Sequence, residues 1–581
     1  MYLHPNKIII YDAEITGWLE FRSIVSVFSA SSIDEVVPAL NQVNDLVKHE
    51  HLFAAGFLSY ESAPAFDNAC KTKAPGAFPL LWFGLFEDVE FHRSLPLDNT
   101  DDYRMGNWKP EFTRHQYKRS LNKIKGFEQA GDTYQVNYSY RQVTSFSGNT
   151  ETFFRSGVHG SKASYAAYFD LGDYVICSFS PELFFHYNHG HLHSRPMKGT
   201  IARGLTSEMD KNQFEHLLSS KKNRAENVMI VDMIRNDMGR IARFGTVNVP
   251  ELFQIEKYPT LFQMTSTVEC ETDAGIPAVF NALFPCASIT GAPKVRTMEI
   301  IKNLEISPRR IYTGSIGFIL PESRAQFNVA IRTALIERSE HHIEYGTGGG
   351  IVWDSTFEEE WEESRAKTQV LTAEFPEFEL LETLLWERES GYFLETYHRN
   401  RIKKSADYFD FSFIEQKWRE LLESLEKEFS GDQYKIRITL NAVGELNAED
   451  SSVNADSGKT FTVHVSSKPI HSKNPFLYHK TTHRKVYEIS PGLSPNCDDV
   501  ILWNENGEIT ESTIANIVIL WEGHLITPPV ECGLLPGTMR QYLLDLGEIE
   551  EKCVTRDMLK SAEKVYLINS VRKWREIVLR S

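Results

Sequence analysis

Apolar positions in the first part of the chain follow two different periods. Runs rich in aromatic and β-branched residues, such as Tyr165–Asp170, Tyr174–Ser178 and Gln326–Ala334, predict strands. Val228, Met229, Val231, Ile234 and Met238 instead share one broad face and predict a helix over Glu226–Arg243, entered from a Lys/Asn/Arg cluster. An acidic helix is predicted over Thr356–Leu371, after the glycine run Gly348–Gly350. The proline-bearing stretch Thr372–Phe378 breaks the pattern and marks the main boundary. Beyond it, Leu380–Trp386 predicts a strand and Tyr397–Phe409 a helix, while polar, turn-rich Ala448–Lys459 predicts an exposed loop. There is no internal repeat or heptad pattern. Strands and helices mixed in this way predict an α+β or α/β multidomain protein, with domains at 1–373 and 378–581.

Length and charge narrow the picture. A chain of 581 residues exceeds one hydrophobic core and predicts roughly two to four domains. A net charge of −17 argues against nucleic acid or an anionic membrane as the main partner. Seven scattered cysteines, with no C-x-x-C pair, predict reduced thiols rather than a disulfide frame or a zinc site. The N-terminus lacks a signal-type apolar region, and no run approaches a membrane span, so the expected location is the cytoplasm.

Chemistry concentrates first around Arg195-Pro-Met-Lys-Gly-Thr200, with Arg203-Gly204 close behind and Ser180-Pro181-Glu182 upstream. A lysine in a Pro/Gly turn is ordinarily a solvated loop residue. Several carboxylates add weight: Glu226 at the predicted helix start, and Glu360 with Glu363 three apart on one face of the acidic helix. Acids from separate helices suit Mg2+, a hard cation that takes oxygen ligands and retains waters. Glu358–Glu363 holds five acids, however, so spacing alone leaves the ligand set open.

The ordered blocks GFLSYESAPAFD (56–67), GDTYQVNYS (131–139), SPELFF (180–185), PMKGT (196–200), KNRAENVMIVDMIRNDMGRI (222–241), FPCASITGAPKVRTMEII (284–301), YTGSIGFI (312–319), FNVAIRTA (327–334) and GTGGGIVWDSTFEEEWEESRAK (346–367) resemble the chorismate-utilising enzymes, specifically the aminodeoxychorismate synthase component I branch. The resemblance implies an anthranilate synthase-like two-layer antiparallel sheet sandwich flanked by helices, with chorismate and Mg2+ in a cleft between the layers. It implies Glu226 and Glu363 as metal ligands, with Glu360 a third candidate. Tyr312 and Arg332 would hold a substrate carboxylate. Thr290 and the backbone of Gly348, Gly349 and Gly350 would line the substrate site. Lysine at 198, where anthranilate-forming relatives usually carry alanine, implies a covalent Lys198 adduct on the way to a 4-amino product. Glu182 would be the general acid/base. Gln135, where water-delivering relatives tend to have lysine, and Met264, where anthranilate makers usually have histidine, point the same way. Trp361 departs from the tyrosine more usual there. None of the cysteines sits in a Gly-x-Cys-x-Gly turn, so ammonia would come from solution or a separate glutamine amidotransferase subunit.

The second half carries its own set: His398-Arg-Asn-Arg-Ile402, His479-Lys-Thr-Thr-His-Arg484, Thr510-Glu-Ser-Thr-Ile-Ala-Asn516 and Gly533-Leu-Leu-Pro-Gly-Thr-Met-Arg540. Each piece has a plain alternative as basic surface, turn or helix cap. Together with LLETLLW (380–386) and LINSVRKWREI (567–577), they resemble the class IV, fold-type IV aminotransferases and aminodeoxychorismate lyases. That resemblance implies two α/β subdomains with pyridoxal 5'-phosphate between them. Lys480 would hold the cofactor covalently, Glu511 would pair with its pyridine nitrogen, and Arg401 with Thr538 would bind its phosphate. His483 stands where relatives often have asparagine. Relatives of this half dimerise, which implies a homodimer through it. The fusion implies amination of chorismate followed by loss of pyruvate to give 4-aminobenzoate. The alternative is an anthranilate synthase component joined to a D-amino-acid or branched-chain aminotransferase-like half.

Overall fold

Residues 5–97, 102–369, 376–453, 460–488 and 497–580 are described by a computed structural model of the chain. It divides into two units, one made of Met1–Ala202 with Glu215–Phe375, the other of Arg203–Phe214 with Pro376–Ser581.

Antiparallel pairing joins nineteen strands of the first unit into one ribbon. From Gln135–Gly148 it runs through His342–Ile351, Thr333–Glu337, Tyr174–Ser180, Tyr165–Asp170 and Lys7–Asp12 to the long strand Gly17–Ala30. It continues through Leu81–His92, Phe53–Leu58, Ser315–Leu320, Arg324–Val329, Leu183–Asn188 and His191–Arg195 to Leu261–Glu271. The ribbon folds back on itself. Ile8, Phe169, Ile176 and Leu335 from its first half share one buried cluster with Phe57, Trp82 and Phe318 from its second. Asn328 crosses between the halves, donating to the Tyr165 carbonyl at 2.9 Å. The expected two-layer sandwich is therefore two halves of a single ribbon. Helices Ile33–Glu50, Lys221–Gly239 and Ile276–Leu283 cover the second half with Val36, Leu40, Ile230, Ile234 and Phe280. Burying each such side chain is worth about 1.5–3 kcal/mol.

Two expectations shift here. The helix expected to open at Glu226 begins at Lys221, because Ser220 caps it by accepting the Asn223 N–H at 3.4 Å. Glu226 accordingly sits in the second turn. The strand expected over Gln326–Ala334 is split into Arg324–Val329 and Thr333–Glu337, with Arg332 between them at a left-handed φ of 49°. The acidic helix spans Phe357–Gln369, and its expected end at Leu371 lies outside the described residues, as do 372–375 of the boundary stretch.

The second unit contains two sheets. Leu380–Glu387 pairs with Gly391–Phe393 and Gln433–Leu440, and the latter with Leu446–Ser452, all antiparallel. Helices Glu395–Phe409 and Glu415–Glu428 belong to this part. In the other sheet, Ile509–Ser512, Asp499–Trp503, Phe461–Val465, Lys573–Leu579, Lys564–Asn569 and Asn516–Trp521 pair in turn, and the last pairs back with the first. Val463, Ile501, Ile517, Ile519 and Leu567 fill the closed ring. The loop expected over Ala448–Lys459 is corrected: Ala448–Ser452 belongs to an edge strand, and its polar residues face water where an apolar edge would invite further pairing. Residues 454–459 lie outside the described set.

Arg203 and Gly204 follow the Lys198 block in sequence but are fixed in the second unit. The Arg203 guanidinium donates to Asp210 at 2.7 and 2.6 Å and to the Tyr408 carbonyl at 2.8 Å, while the Tyr408 hydroxyl donates to the Gly204 carbonyl at 2.9 Å. No helix among the described residues is long and apolar enough to cross a membrane.

Candidate active sites

In the first unit, strand Met197–Ala202 pairs with Leu261–Glu271, and its register slips between Met197 and Thr200. Gly199, at φ 94°, supplies the backbone conformation that this bulge needs. The bulge aims Lys198 at the start of strand Gln135–Gly148 and the end of His342–Ile351, its amine 3.1 Å from where a Cβ on Gly350 would stand. The Gln135 side-chain nitrogen is 2.1 Å from that same point, so any side chain at 350 would displace Gln135 from its present place. The Gln135 side-chain oxygen is buried there without a hydrogen-bond partner among the described residues.

Glu182 closes the turn between Tyr174–Ser180 and Leu183–Asn188 and is 3% exposed, with one carboxylate oxygen unpartnered among the described residues. Burial pushes its carboxyl up to about 7, opposed by a Ser288 hydrogen bond, the Lys198 charge, the Met197 N–H and Arg332. Burial also holds the Lys198 amine below its ordinary range, against the pull of Glu226 and Glu182 and with help from Lys367. Burial thus moves the two groups in opposite senses, the acid up and the amine down.

Glu360 and Glu363 lie one turn apart on the acidic helix, which Ser364 ties to the sheet through the Tyr140 hydroxyl at 2.8 Å and the Thr347 hydroxyl at 2.9 Å. Glu360 accepts from Ser355 at 2.7 Å, and burial and neighbouring Glu363 raise its carboxyl. Lys367, 2.8 Å from Glu363 and 2.8 Å from the Gly348 carbonyl, holds the Glu363 carboxyl low. Glu226, partly buried, acts on Lys198 from the helix opposite. Among the described residues these three acids do not gather within 4.8 Å as a preformed triad. Their all-oxygen donor set, with one acid disfavoured in its charged form by burial beside another, fits Mg2+ with waters completing its shell.

Around Lys198, Arg332 acts on Glu182 and on the phenols of Tyr258 and Tyr345. Tyr312 is buried beneath the Arg141 guanidinium, 5.3 Å from its ring centre. The Thr290 hydroxyl is used within its own turn, on the Cys286 and Ala287 carbonyls at 3.3 and 3.2 Å. Gly348, Gly349 and Gly350 pair with Ser139, Tyr138 and Asn137. An antiparallel ladder uses only alternate amides on one neighbour, and Thr333–Glu337 ends opposite Tyr345, so part of this backbone points away from the ladder. Ser288 and Lys367 were not singled out by sequence reasoning, though both stand within the quoted blocks.

In the second unit, Lys480 follows the short turn Pro475–Leu477. Its segment is pinned to the first strand: the Leu381 N–H donates to the Lys480 carbonyl and the Thr482 N–H to the Glu379 carbonyl, both at 2.9 Å. Burial brings the Lys480 amine down to about 8, with Arg401 and Arg484 reinforcing and Glu382 and Glu511 opposing. Glu511 is 4% exposed; burial raises its carboxyl to about 7, while it accepts from Tyr487 at 2.8 Å and Asn516 at 3.2 Å.

Arg401 grips Glu382 through two bonds of 2.8 and 2.6 Å, leaving its third nitrogen 3.4 Å from the Pro536 carbonyl. His398 bridges Glu382 at 2.6 Å to the Thr538 hydroxyl at 3.3 Å. Thr538 opens the helix Thr538–Asp545 after Gly537, so unpaired N–H groups and a guanidinium meet at one place, which fits a phosphate. With a buried acid and a lysine of lowered basicity, the donor set fits pyridoxal 5'-phosphate. Sequence reasoning quoted Glu382, Arg484 and Asn516 within its motifs without giving them a role, and missed Tyr487. The signal for Glu382 was legible, since it is the one acid inside the apolar run LLETLLW.

The family described as chorismate binding enzyme matches residues 6–373, and that described as amino-transferase class IV matches residues 379–579. Aminodeoxychorismate synthase component 1 of Salmonella typhimurium is 39% identical over 259 residues, 44% of this chain and 57% of that protein. Anthranilate synthase component 1 of Aquifex aeolicus is 38% identical over 267 residues, 46% of this chain and 54% of that protein. The chain thus spans little more than half the length of these curated relatives. A crystal structure of anthranilate synthase component I from Streptococcus pneumoniae covers 64% of this chain and 91% of its own, with a TM-score of 0.52 at 22% identity, a likeness of fold.

Proposed function

On the premise that this chain belongs to the chorismate-binding enzyme family, we propose that it is a two-enzyme fusion that makes 4-aminobenzoate from chorismate and ammonia. The observation that carries this reading is the Lys198 amine, lowered by burial and aimed at Gly350 and Gln135 beside Glu182. A neutral lysine is a nucleophile. Lys198 bonds to ring carbon 2 while the carbon–oxygen bond at carbon 4 breaks, and Glu182, protonated below about pH 7, gives its proton to the leaving hydroxyl. Ammonia, delivered by a glutamine amidotransferase subunit, then bonds to carbon 4 and Lys198 leaves. Arg332 and Tyr312 hold a substrate carboxylate. Mg2+, held by Glu226, Glu360 and Glu363, would supply Lewis-acid polarisation of the leaving oxygen.

The second unit takes the resulting 4-amino-4-deoxychorismate. Lys480 would hold pyridoxal 5'-phosphate, Glu511 would pair with its pyridine nitrogen, and Arg401, Thr538 and the helix N-terminus would hold its phosphate. The cofactor supplies an electron sink. Once displaced by the substrate's amine, Lys480 would be the base that takes the carbon-4 proton while the bond to the enolpyruvyl oxygen breaks, which releases pyruvate and leaves an aromatic ring. A homodimer through this half and a cytoplasmic location belong to the same reading.

The test supplies chorismate, Mg2+, an ammonium salt and pyridoxal phosphate, and identifies products by liquid chromatography and mass spectrometry. Wild type should give 4-aminobenzoate and pyruvate, and Lys480→Ala should stop at 4-amino-4-deoxychorismate. The near-equal identity to an anthranilate synthase favours a 2-amino product as the second reading, and anthranilate in this assay would replace ours with it.

A further inference from the structure

Two of the seven cysteines, 21 residues apart in sequence, come together outside both candidate sites. Cys532 ends the short turn Val530–Cys532, Cys553 follows the strand Glu550–Glu551, and their sulfurs lie 3.9 Å apart. Glu508 completes the group: one carboxylate oxygen and the two sulfurs all lie within 4.8 Å of one another. A bridge pairing of Glu508 with Thr555, and a 2.8 Å bond from the Ile509 N–H to the Val554 carbonyl, bring Cys553 to this place.

Asn504 fixes the other two members. Its side-chain nitrogen donates to Glu508 at 2.7 Å and to the Cys532 carbonyl at 2.9 Å, and its oxygen accepts the Glu508 N–H at 3.1 Å. This is the arrangement by which neighbouring groups orient metal ligands. Magnitude separates metal binding from a disulfide. Sulfurs on a tetrahedral zinc, each about 2.3 Å from the ion, stand roughly 3.8 Å apart, whereas a disulfide needs about 2.05 Å. The observed 3.9 Å matches the first with no movement and misses the second widely.

Two other acidic groups of this kind are already balanced by arginine: Glu20 and Glu90 by Arg22, and Glu337 and Glu344 by Arg310. Glu508 has no ion-pair partner among the described residues. The Cys553 side is exposed and Cys532 is buried, so an ion would enter from solvent and keep a fourth position for water.

We propose that Cys532, Cys553 and Glu508 form a binding site for one thiophilic divalent cation of the Zn2+ class. The site lies at the root of the segment 533–538. That segment carries the Leu535 carbonyl bonded by Asn516, the Pro536 carbonyl facing Arg401, and Thr538. An ion here anchors the loop that shapes the candidate phosphate site.

The test titrates the reduced, full-length protein with Cd2+, following the sulfur-to-metal charge-transfer absorbance, and counts bound Zn2+ by equilibrium dialysis and elemental analysis. One ion per chain with a two-thiolate band is expected. Cys553→Ser and Glu508→Gln should each weaken binding about tenfold or more. Cys497→Ser, which changes a thiol outside the cluster, should bind like wild type. Unchanged affinity in Cys553→Ser overturns the proposal, as does the absence of a thiolate band. Ready formation of a Cys532–Cys553 disulfide without stoichiometric metal uptake would also overturn it and make the pair a redox element instead.

Discussion

Lys198 and Lys480 are both held below the ordinary lysine range by burial, but they keep different company. Carboxylates surround Lys198, with Glu226, Glu182 and Glu363 opposing the effect of burial and Lys367 helping it. Beside Lys480, Arg401 is the second-largest influence and Arg484 joins it, so cations add to burial and bring the amine to about 8. The second unit therefore lowers its lysine with its own cations as well as burial, while the first sets its lysine among acids that suit a divalent cation. The difference follows from what each half is proposed to hold: a dianionic cofactor phosphate beside Lys480, and a metal with a substrate carboxylate beside Lys198.

The largest effects should come from exchanging the two lysines for alanine. Lys198→Ala should cut formation of any 4-amino product about a thousandfold while leaving pyruvate release from supplied 4-amino-4-deoxychorismate intact. Lys480→Ala should do the reverse to a similar degree. Loss of both activities in either variant would mean that the two sites are not chemically separate.

Glu182→Gln comes next, with an expected loss of about a hundredfold to ten-thousandfold in kcat. Its carboxyl titrates near 7, so the acid form dominates below that pH and disappears above it. If Glu182 delivers the proton to the leaving hydroxyl, wild-type kcat/KM falls as pH rises through about 7, and the variant lacks that limb. A variant profile that keeps the limb assigns it to another group.

How much of this was open to inspection in the sequence depends on range. Lys198, Glu182, Lys480 and Glu511 stand in turns and short strands whose motifs are contiguous, so they could be singled out from the sequence, while the roles proposed for them come from the resemblance. The bulge was prefigured only by the Gly beside Lys198. What the sequence did not disclose were contacts between distant segments. The nineteen strands close on each other through pairings such as Lys7–Asp12 with Tyr165–Asp170, which no local period encodes. Arg203–Phe214 sits in a unit whose remaining residues begin at Pro376. Ala448–Ser452 reads as a loop because an edge strand and a loop are equally polar. The pairing of Cys532 with Cys553 depends on a bridge between Glu508 and Thr555, which cysteine spacing cannot show.

Glu382 gives a test of structure rather than chemistry. It is 1% exposed, and Arg401, then His398, overcome burial and hold its carboxyl down to about 2. A depressed carboxyl contributes stability above the unfolded value of 4.5, and that contribution is lost as pH falls toward 2. Glu382→Gln should destabilise the second unit by about 3 kcal/mol at neutral pH and flatten its acid unfolding between those limits, measured by denaturant titration. The first unit's transition should not move.

The finest test separates burial from arginine at Lys480. An amine that titrates near 8 becomes neutral mostly between pH 7 and 9, so the rate at which apoprotein takes up pyridoxal phosphate should rise about tenfold over that interval. An ordinary lysine would give nearly a hundredfold, because its neutral form is still rare at pH 9. Arg484 lies near enough to lower the amine, and its guanidinium stacks 4.5 Å over the Tyr487 ring, so it is oriented rather than loose. Arg484→Met keeps the bulk and removes the charge, and the pH profile should move toward the ordinary-lysine slope without reaching it. A profile identical to wild type would assign the lowering to burial and Arg401 alone, and the contrast with Lys198 would then rest on one arginine instead of two.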